Sequence, residues 1–248
     1  FIYSIRLNRT EVYNALSFAL LEELSATLER LRAQRPRVVI VTGSGKSFCS
    51  GADLKEIKGF SPETAAEFSR RGNQVFDALE SFPCPVIAAV NGYAFGGGCE
   101  LACACDLVYA SEAARFGQPE ARVGMITGWG GTHRLARRVG LSRAKELFFT
   151  ARTLEAEAAL DIGLCDAVFP TVEYWSRVVE AAEEIAANAP IAQRLEKKLM
   201  NRAVSDVPGI YRAVDQEAEA LRQCVESEDQ TEGISAFLEK RRPIFQDQ

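Results

Sequence analysis

Two glycine-bearing segments and two carboxylates carry most of the chemical potential of this 248-residue chain. The first segment runs Gly43-Ser44-Gly45-Lys46-Ser47-Phe48-Cys49-Ser50-Gly51-Ala52-Asp53-Leu54, and the second Asn91-Gly92-Tyr93-Ala94-Phe95-Gly96-Gly97-Gly98-Cys99-Glu100-Leu101. Each follows a short apolar run, and open α/β sheets bind ligands beyond the carboxyl ends of their strands. Three consecutive glycines ahead of an apolar stretch predict a loop entering a helix, with free N–H groups and partial positive charge facing outward. Such a loop can hold an oxyanion; read more plainly, its glycines only make tight turns. Neither segment fits the phosphate loop of nucleotide hydrolases or the dinucleotide fingerprint.

Glu100 directly follows the glycine run, and Glu120 closes the turn Phe116-Gly117-Gln118-Pro119-Glu120. A pair of carboxyl groups whose environments differ can divide acid and base work. The competing reading makes each a capping or solvated residue, and spacing alone does not bring them together. His133 is the only histidine, so a structural role is expected for it. No second imidazole exists for a metal site, no Ser-His-Asp spacing is present, and no metal is expected. The seven cysteines include no C-x-x-C pair, which predicts buried, reduced thiols.

The elements that must position these groups follow from periodicity. Val38–Thr42, Val86–Val90 and Leu107–Ala110 are short, continuous, β-branched runs that read as buried strands. Leu16–Leu31 and Pro62–Leu79 carry apolar residues at helical spacing, the second with Ser61 as cap and Pro62 in the first turn. Strands alternating with helices predict parallel pairing in an α/β fold. After about Pro170 the chain reads as helical throughout: Val172–Ala187, Ile191–Ala203, Gly209–Glu226 and Glu232–Lys240. The expected organisation is a core over residues 1–189 and a helical C-terminal region over 190–248, the latter packing on its own core or a neighbouring subunit.

A formal net charge of -5 argues against nucleic acid as a generic partner, since phosphate binding needs a basic excess. No apolar run approaches the roughly 20 residues that span a bilayer, so the chain reads as soluble with no membrane partner. It opens at Phe1 inside an expected strand, Phe1–Leu7. A truncated start is therefore expected, which would hide any targeting segment. The expected compartment is the cytoplasm for a bacterial source, with the mitochondrial matrix as the eukaryotic alternative.

Taken in order, Gly51-Ala52-Asp53-Leu54-Lys55-Glu56, Asn91 to Leu101, Phe116 to Glu120 and Gly130-Gly131-Thr132-His133-Arg134-Leu135 resemble the crotonase superfamily. The likeness runs over nearly the whole chain, and within the superfamily the sequence looks most like the enoyl-CoA hydratases. The resemblance implies a spiral of β-β-α turns, a helical C-terminal region that builds trimers, and a homotrimer or homohexamer as the assembly. It implies an acyl-CoA substrate and no cofactor beyond the coenzyme A that the substrate carries. It makes Glu100 and Glu120 catalytic, and the N–H groups of Ala52 and Gly97 an oxyanion hole around the thioester carbonyl. It assigns coenzyme A or acyl contacts to Arg9, Ala15, Ala52, Asp53, Leu54, Lys55, Gly96, Gly97, Thr127, Gly128, Trp129, Phe237 and Lys240.

Thr10, Tyr13, Thr127 and Trp129 depart from the family's usual residues, which puts the shape of the acyl pocket in question. For Trp129 two readings stay open: narrowing of the pocket, or packing against the neighbouring helix. Having both glutamates favours hydration over double-bond isomerisation. Hydration of a branched or cyclic enoyl-CoA, of methylglutaconyl-CoA type, keeps both glutamates and stays open as well. From another class, a non-catalytic or RNA-binding relative would rest on the stripe Arg134, Arg137, Arg138 and Arg143, which reads more simply as a solvated or ligand-facing helix surface.

Overall fold

The computed structural model describes residues 1–205, 218, 219, 221, 222 and 224–244. Five parallel strands form the larger sheet: β1 (Ile2–Leu7), β2 (Val38–Gly43), β4 (Val86–Val90), β6 (Leu107–Ser111) and β9 (Ala167–Phe169), in that order across the sheet. Four three-residue strands form the smaller one: β3 (Ser47–Cys49), β5 (Tyr93–Phe95), β7 (Arg115–Gly117) and β8 (Thr153–Glu155), with only β7 and β8 antiparallel. β2, β4 and β6 are each followed by a short strand and then by helix. The first turn closes with α2 (Leu54–Ile57) and α3 (Pro62–Glu80), the second with α4 (Gly97–Cys103), and the third with α5 (Gly131–Val139) and α6 (Leu141–Thr150). The result is the expected spiral of β-β-α turns.

Physical reasons for the main elements are local. α1 (Phe18–Ala33) starts where the Ser17 side chain accepts from Leu20 N, and buries Leu20, Leu21, Leu24 and Leu28. α3 starts where the Ser61 hydroxyl accepts from Thr64 N, with Pro62 in its first turn. Strand alternation splits β2 between two cores: Val39 and Val41 face the spiral interior. Val38 and Ile40 face Tyr174, Val178 and Ala182 of α8 (Tyr174–Ala187) on the outer side.

The glycine-bearing segments, expected to be loops, contain β3 and β5. Strands of three residues are too short to show a period of two, so sequence patterning cannot reveal them. The final expected helix starts earlier than Glu232. It spans Glu228–Leu238 because the Ser227 hydroxyl accepts from Gln230 N and caps it there. The helix expected over 209–226 falls for the most part outside the described residues. α9 (Pro190–Ser205) is pinned to the core by Lys197, whose Nζ donates to Asp106 Oδ2 at 2.6 Å and Cys84 O at 3.1 Å. No helix among the described residues is long and apolar enough to cross a membrane.

Candidate active site

Ala52 owes its orientation to a parallel bridge with Leu16. Leu16 N donates to Gly51 O and Asp53 N donates to Leu16 O, both at 2.8 Å. Alternation along an extended chain therefore turns the Ala52 N–H away from Leu16. Gly51, at φ +100, occupies backbone space that L side chains rarely adopt. A Cβ there would stand 2.8 Å from Phe95 O and 3.3 Å from Gly97 N. The two glycine-bearing segments thus touch at Gly51 and at the first residue of α4, where the Gly97 N–H has no helical acceptor of its own. Asn91 ties the segments further along, accepting from Gly43 N at 3.1 Å and donating to Gly45 O at 3.0 Å.

Glu100 lies one turn into α4 and is 1% exposed. Its Oε1 accepts from the main-chain N–H groups of Trp129 and Gly131, each at 2.8 Å. Burial is the largest influence on this carboxyl and pushes its pKa above the usual carboxylate range. The Thr127 hydroxyl, the two amides and the Arg134 charge favour the ionised form and pull the pKa back without cancelling the rise. Thr127 stands close enough for that influence, yet its buried Oγ1 stops short of a formed hydrogen bond.

Glu120 opens the 3-10 turn Glu120–Val123. Its Oε1 lies 2.7 Å from the point a Gly96 Cβ would occupy, so the carboxylate abuts the glycine run itself. Glu100 N donates to Gly96 O at 3.0 Å. Both carboxylates therefore gather around the start of α4, one inside the core and one against its outer turn.

The remaining expected contacts separate into three places. Arg9 donates to Ala15 O at 2.6 Å and Asp53 Oδ2 at 3.1 Å, beside the half-buried Leu54 and Ala52 and the exposed Lys55. Thr127, Gly128 and Trp129 form the strap that holds Glu100, and Gly128 O accepts from Ser69 Oγ at 2.6 Å and Asn73 Nδ2 at 2.9 Å. Phe237 is 60% exposed at the end of the helix Glu228–Leu238, and the exposed Lys240 follows it. That helix backs the Glu120 turn: a Cβ at Gly233 would stand 2.5 Å from the Val123 carbonyl carbon. Of the two readings left open for Trp129, the structure takes packing, since the indole is 3% exposed. Thr10 and Tyr13 instead line an open cavity of about 310 Å³ with Ser44–Ser47, with neither glutamate in its wall.

The arginine stripe, expected to be a solvated or ligand-facing surface, divides: Arg137 and Arg143 are exposed, but Arg134 is buried. Arg134 is 1% exposed, donates to Glu80 Oε2 at 2.9 Å and Trp129 O at 2.8 Å, and pairs with Asp77. Arg137 pairs with Glu80, and Arg138 with Asp166 at 3.1 Å. These partners lie far away in sequence, so helical periodicity gave them no signal. Asn14 was missed for the same reason: its buried amide donates to Ser44 O at 3.0 Å and Ser47 O at 2.7 Å, which shapes the first glycine segment. His133 is held neutral by burial and neighbouring arginines, with its pKa lowered to about 4. Six cysteines are buried thiols, Cys49 pushed up to about 12 by desolvation. Among the described residues no cluster could hold a metal ion.

Gly51, the Gly97 N–H and the two carboxylates are thus gathered about one glycine-rich helix start. The whole chain, residues 1–248, matches the family model of enoyl-CoA hydratase/isomerase. It is 42% identical to a short-chain-enoyl-CoA hydratase of Clostridium acetobutylicum, covering 96% of this chain and 91% of that one. It is 41% identical to a crotonyl-CoA hydratase of Syntrophomonas wolfei subsp. wolfei, covering 96% and 92%. A crystal structure of an enoyl-CoA hydratase from Bacillus anthracis superposes with a TM-score of 0.79 at 41% identity, covering 99% and 95%. The chain belongs to the enoyl-CoA hydratase/isomerase family.

Proposed function

We propose that this chain adds water across the 2,3-double bond of a trans-2-enoyl-CoA thioester to give the 3-hydroxyacyl-CoA. It is an enoyl-CoA hydratase, a hydro-lyase. The observation that carries the reading is the Glu100 carboxylate, buried, raised in pKa and aimed by two main-chain amides beside the Gly97 helix start. In the reaction, Glu100 orients a water and takes its proton as the oxygen attacks C3. Electrons move from the double bond onto the thioester oxygen, where the N–H groups of Ala52 and Gly97 stabilise the enolate. Glu120 then gives a proton to C2, and exchange with solvent resets both carboxyls. Arg9, Ala15, Asp53, Leu54 and Lys55 form the coenzyme A side, and Phe237 with Lys240 the C-terminal side. No cofactor is needed beyond the coenzyme A of the substrate.

A homotrimer, or a pair of trimers, is part of this proposal, with residues 190–248 as the helical region that builds it. Ile191, Leu195 and Leu199, spaced at helical intervals on α9, are exposed in the single chain and offer an apolar face for it.

The test is loss of enoyl-thioester absorbance when the protein meets crotonyl-CoA, with Glu100→Gln and Glu120→Gln run alongside. Rapid loss in the wild type and losses of about 100-fold or more in each variant are expected from removal of a positioned acid or base. Unchanged rates in both variants would remove the carboxylate pair from the mechanism.

A further inference from the structure

The indole of Trp129 fills the space between α3 and the first residue of α4, with no room to spare on either side. A Cβ at Gly72 would stand 2.2 Å from its Nε1, and a Cβ at Gly97 would stand 2.2 Å from its Cζ3. The ring is oriented rather than merely enclosed. Nε1 donates to Phe68 O at 3.1 Å, and the Phe68 and Phe76 rings meet it edge-on at 5.0 and 5.7 Å.

The main chain of the same residue is equally committed. Its N–H is one of the two amides on Glu100, at 2.8 Å, and its carbonyl accepts from Arg134 at 2.8 Å. Arg134 in turn is tied to α3 through Glu80 and Asp77. One helix therefore holds Trp129 by the indole, through Phe68, and by the backbone, through Arg134.

We infer that Trp129 is a positioning residue, setting the Gly97 N–H through its ring and the Glu100 carboxylate through its backbone. The inference rests on the proposed roles of Gly97 and Glu100. Its physical basis is that a donor and a base act on the same substrate only if their separation is fixed. Packed aromatic rings between glycines transmit position because close-packed interiors have little slack. A smaller apolar residue at 129 would keep the backbone amide but leave the Gly97 segment without its backing, and either group could then drift relative to the other.

Gly72 offers a way to move the indole from the side away from α4. Gly72→Ala must displace it, and a misplacement of that order costs about 100-fold in kcat with KM changed less than about threefold. Trp129→Phe keeps a ring at the pyrrole position beside Gly72 but removes the outer atoms of the fused six-membered ring, Cζ3 among them, that back Gly97, and is expected to lower kcat by about tenfold. Since the added methyl at 72 can push the smaller ring into that vacated space rather than against Gly97, the double variant should recover kcat to the level of Trp129→Phe alone. The acid limb of the kcat/KM profile should also move to higher pH in Gly72→Ala, as Glu100 loses alignment with the Trp129 amide.

Thermal unfolding of every variant accompanies the kinetics, so that rates refer to folded enzyme. If Gly72→Ala does not fold, Trp129→Phe, which removes atoms and adds none, decides by its kcat. Wild-type kcat in folded Trp129→Phe, a loss confined to KM, or a double variant no better than Gly72→Ala would overturn the inference. Glu100→Gln is run beside them. Full activity there would sink the site assignment itself, whereas an inactive Glu100→Gln beside fully active Trp129 and Gly72 variants would sink the positioning role alone.

Discussion

With its amide turned so that the NH2 faces the carboxylate, Gln118 donates to both oxygens of Glu120, at 3.0 and 3.1 Å. The side chain of Gln118 is buried, so this is a fixed support on the polypeptide just before the turn that carries Glu120. Glu100 is held by two main-chain amides and Glu120 by a side-chain amide, which makes the second support open to mutation. Gln118→Met conserves bulk and removes both donors. It is expected to lower kcat by about tenfold with little change in KM, the pattern for a group whose alignment matters at the transition state. Steady-state kinetics on crotonyl-CoA reads it out, and a selective rise in KM would instead place Gln118 among the substrate contacts.

The pH dependence follows from Glu100. Its pKa lies above the ordinary carboxylate range because burial outweighs the donors around it. The base must be ionised to accept a proton from water, so kcat/KM is expected to fall on the acid side with a midpoint above that range. Thr127 is one of the groups favouring the charged form, so Thr127→Val should move the limb to higher pH and Thr127→Ser should restore it. A limb that stays fixed in Thr127→Val would show that the hydroxyl does not act on Glu100.

The sign for stability runs the same way. A carboxyl whose folded pKa is raised binds its proton more tightly when folded. Glu100 therefore subtracts stability as pH rises from the unfolded value through the folded one. Glu100→Gln should unfold at least as high in temperature as the wild type at neutral pH, even as it loses activity. A lower unfolding temperature there would show that the charged carboxylate stabilises the fold through its two amides.

Lys197 predicts a different behaviour, confined to stability. Its ammonium is buried against Asp106, Cys84 O and Leu79 O, and joins α9 to the strands beneath. Removing one partner of a buried pair leaves the other uncompensated, at a cost of about 3 kcal/mol. Lys197→Met should lower the denaturant midpoint accordingly, while kcat per folded molecule stays near the wild-type value. Equal midpoints would mean that α9 is held by its apolar contacts alone.

The Glu120 turn is backed by the helix Glu228–Leu238, where a Cβ at Gly233 would stand 2.5 Å from the Val123 carbonyl carbon. Gly233→Val should push the turn away from Gly96 and lower kcat by about tenfold or more. Wild-type kinetics from a folded Gly233→Val would show that the helix is not needed to hold Glu120.

Several elements were legible in the sequence because they obey local rules. Ser61 and Pro62 started α3 as their chemistry predicts, the β-branched runs became the parallel sheet, and three glycines did open a helix at Gly97. The ordered motifs marked the family as well, since their spacing reflects one spiral. Tertiary structure alone decided what those motifs do to one another. Whether Trp129 faced a pocket or the core depended on Gly72 and Gly97, which lie far from it in sequence. Arg134 read as surface because a helical pattern cannot show the acidic partners that α3 carries to it. Glu100 differs from any other glutamate only through its burial beside two amides from a distant strap. Local propensities act between near neighbours along the chain, whereas pKa, orientation and close approach are set by neighbours that only folding supplies.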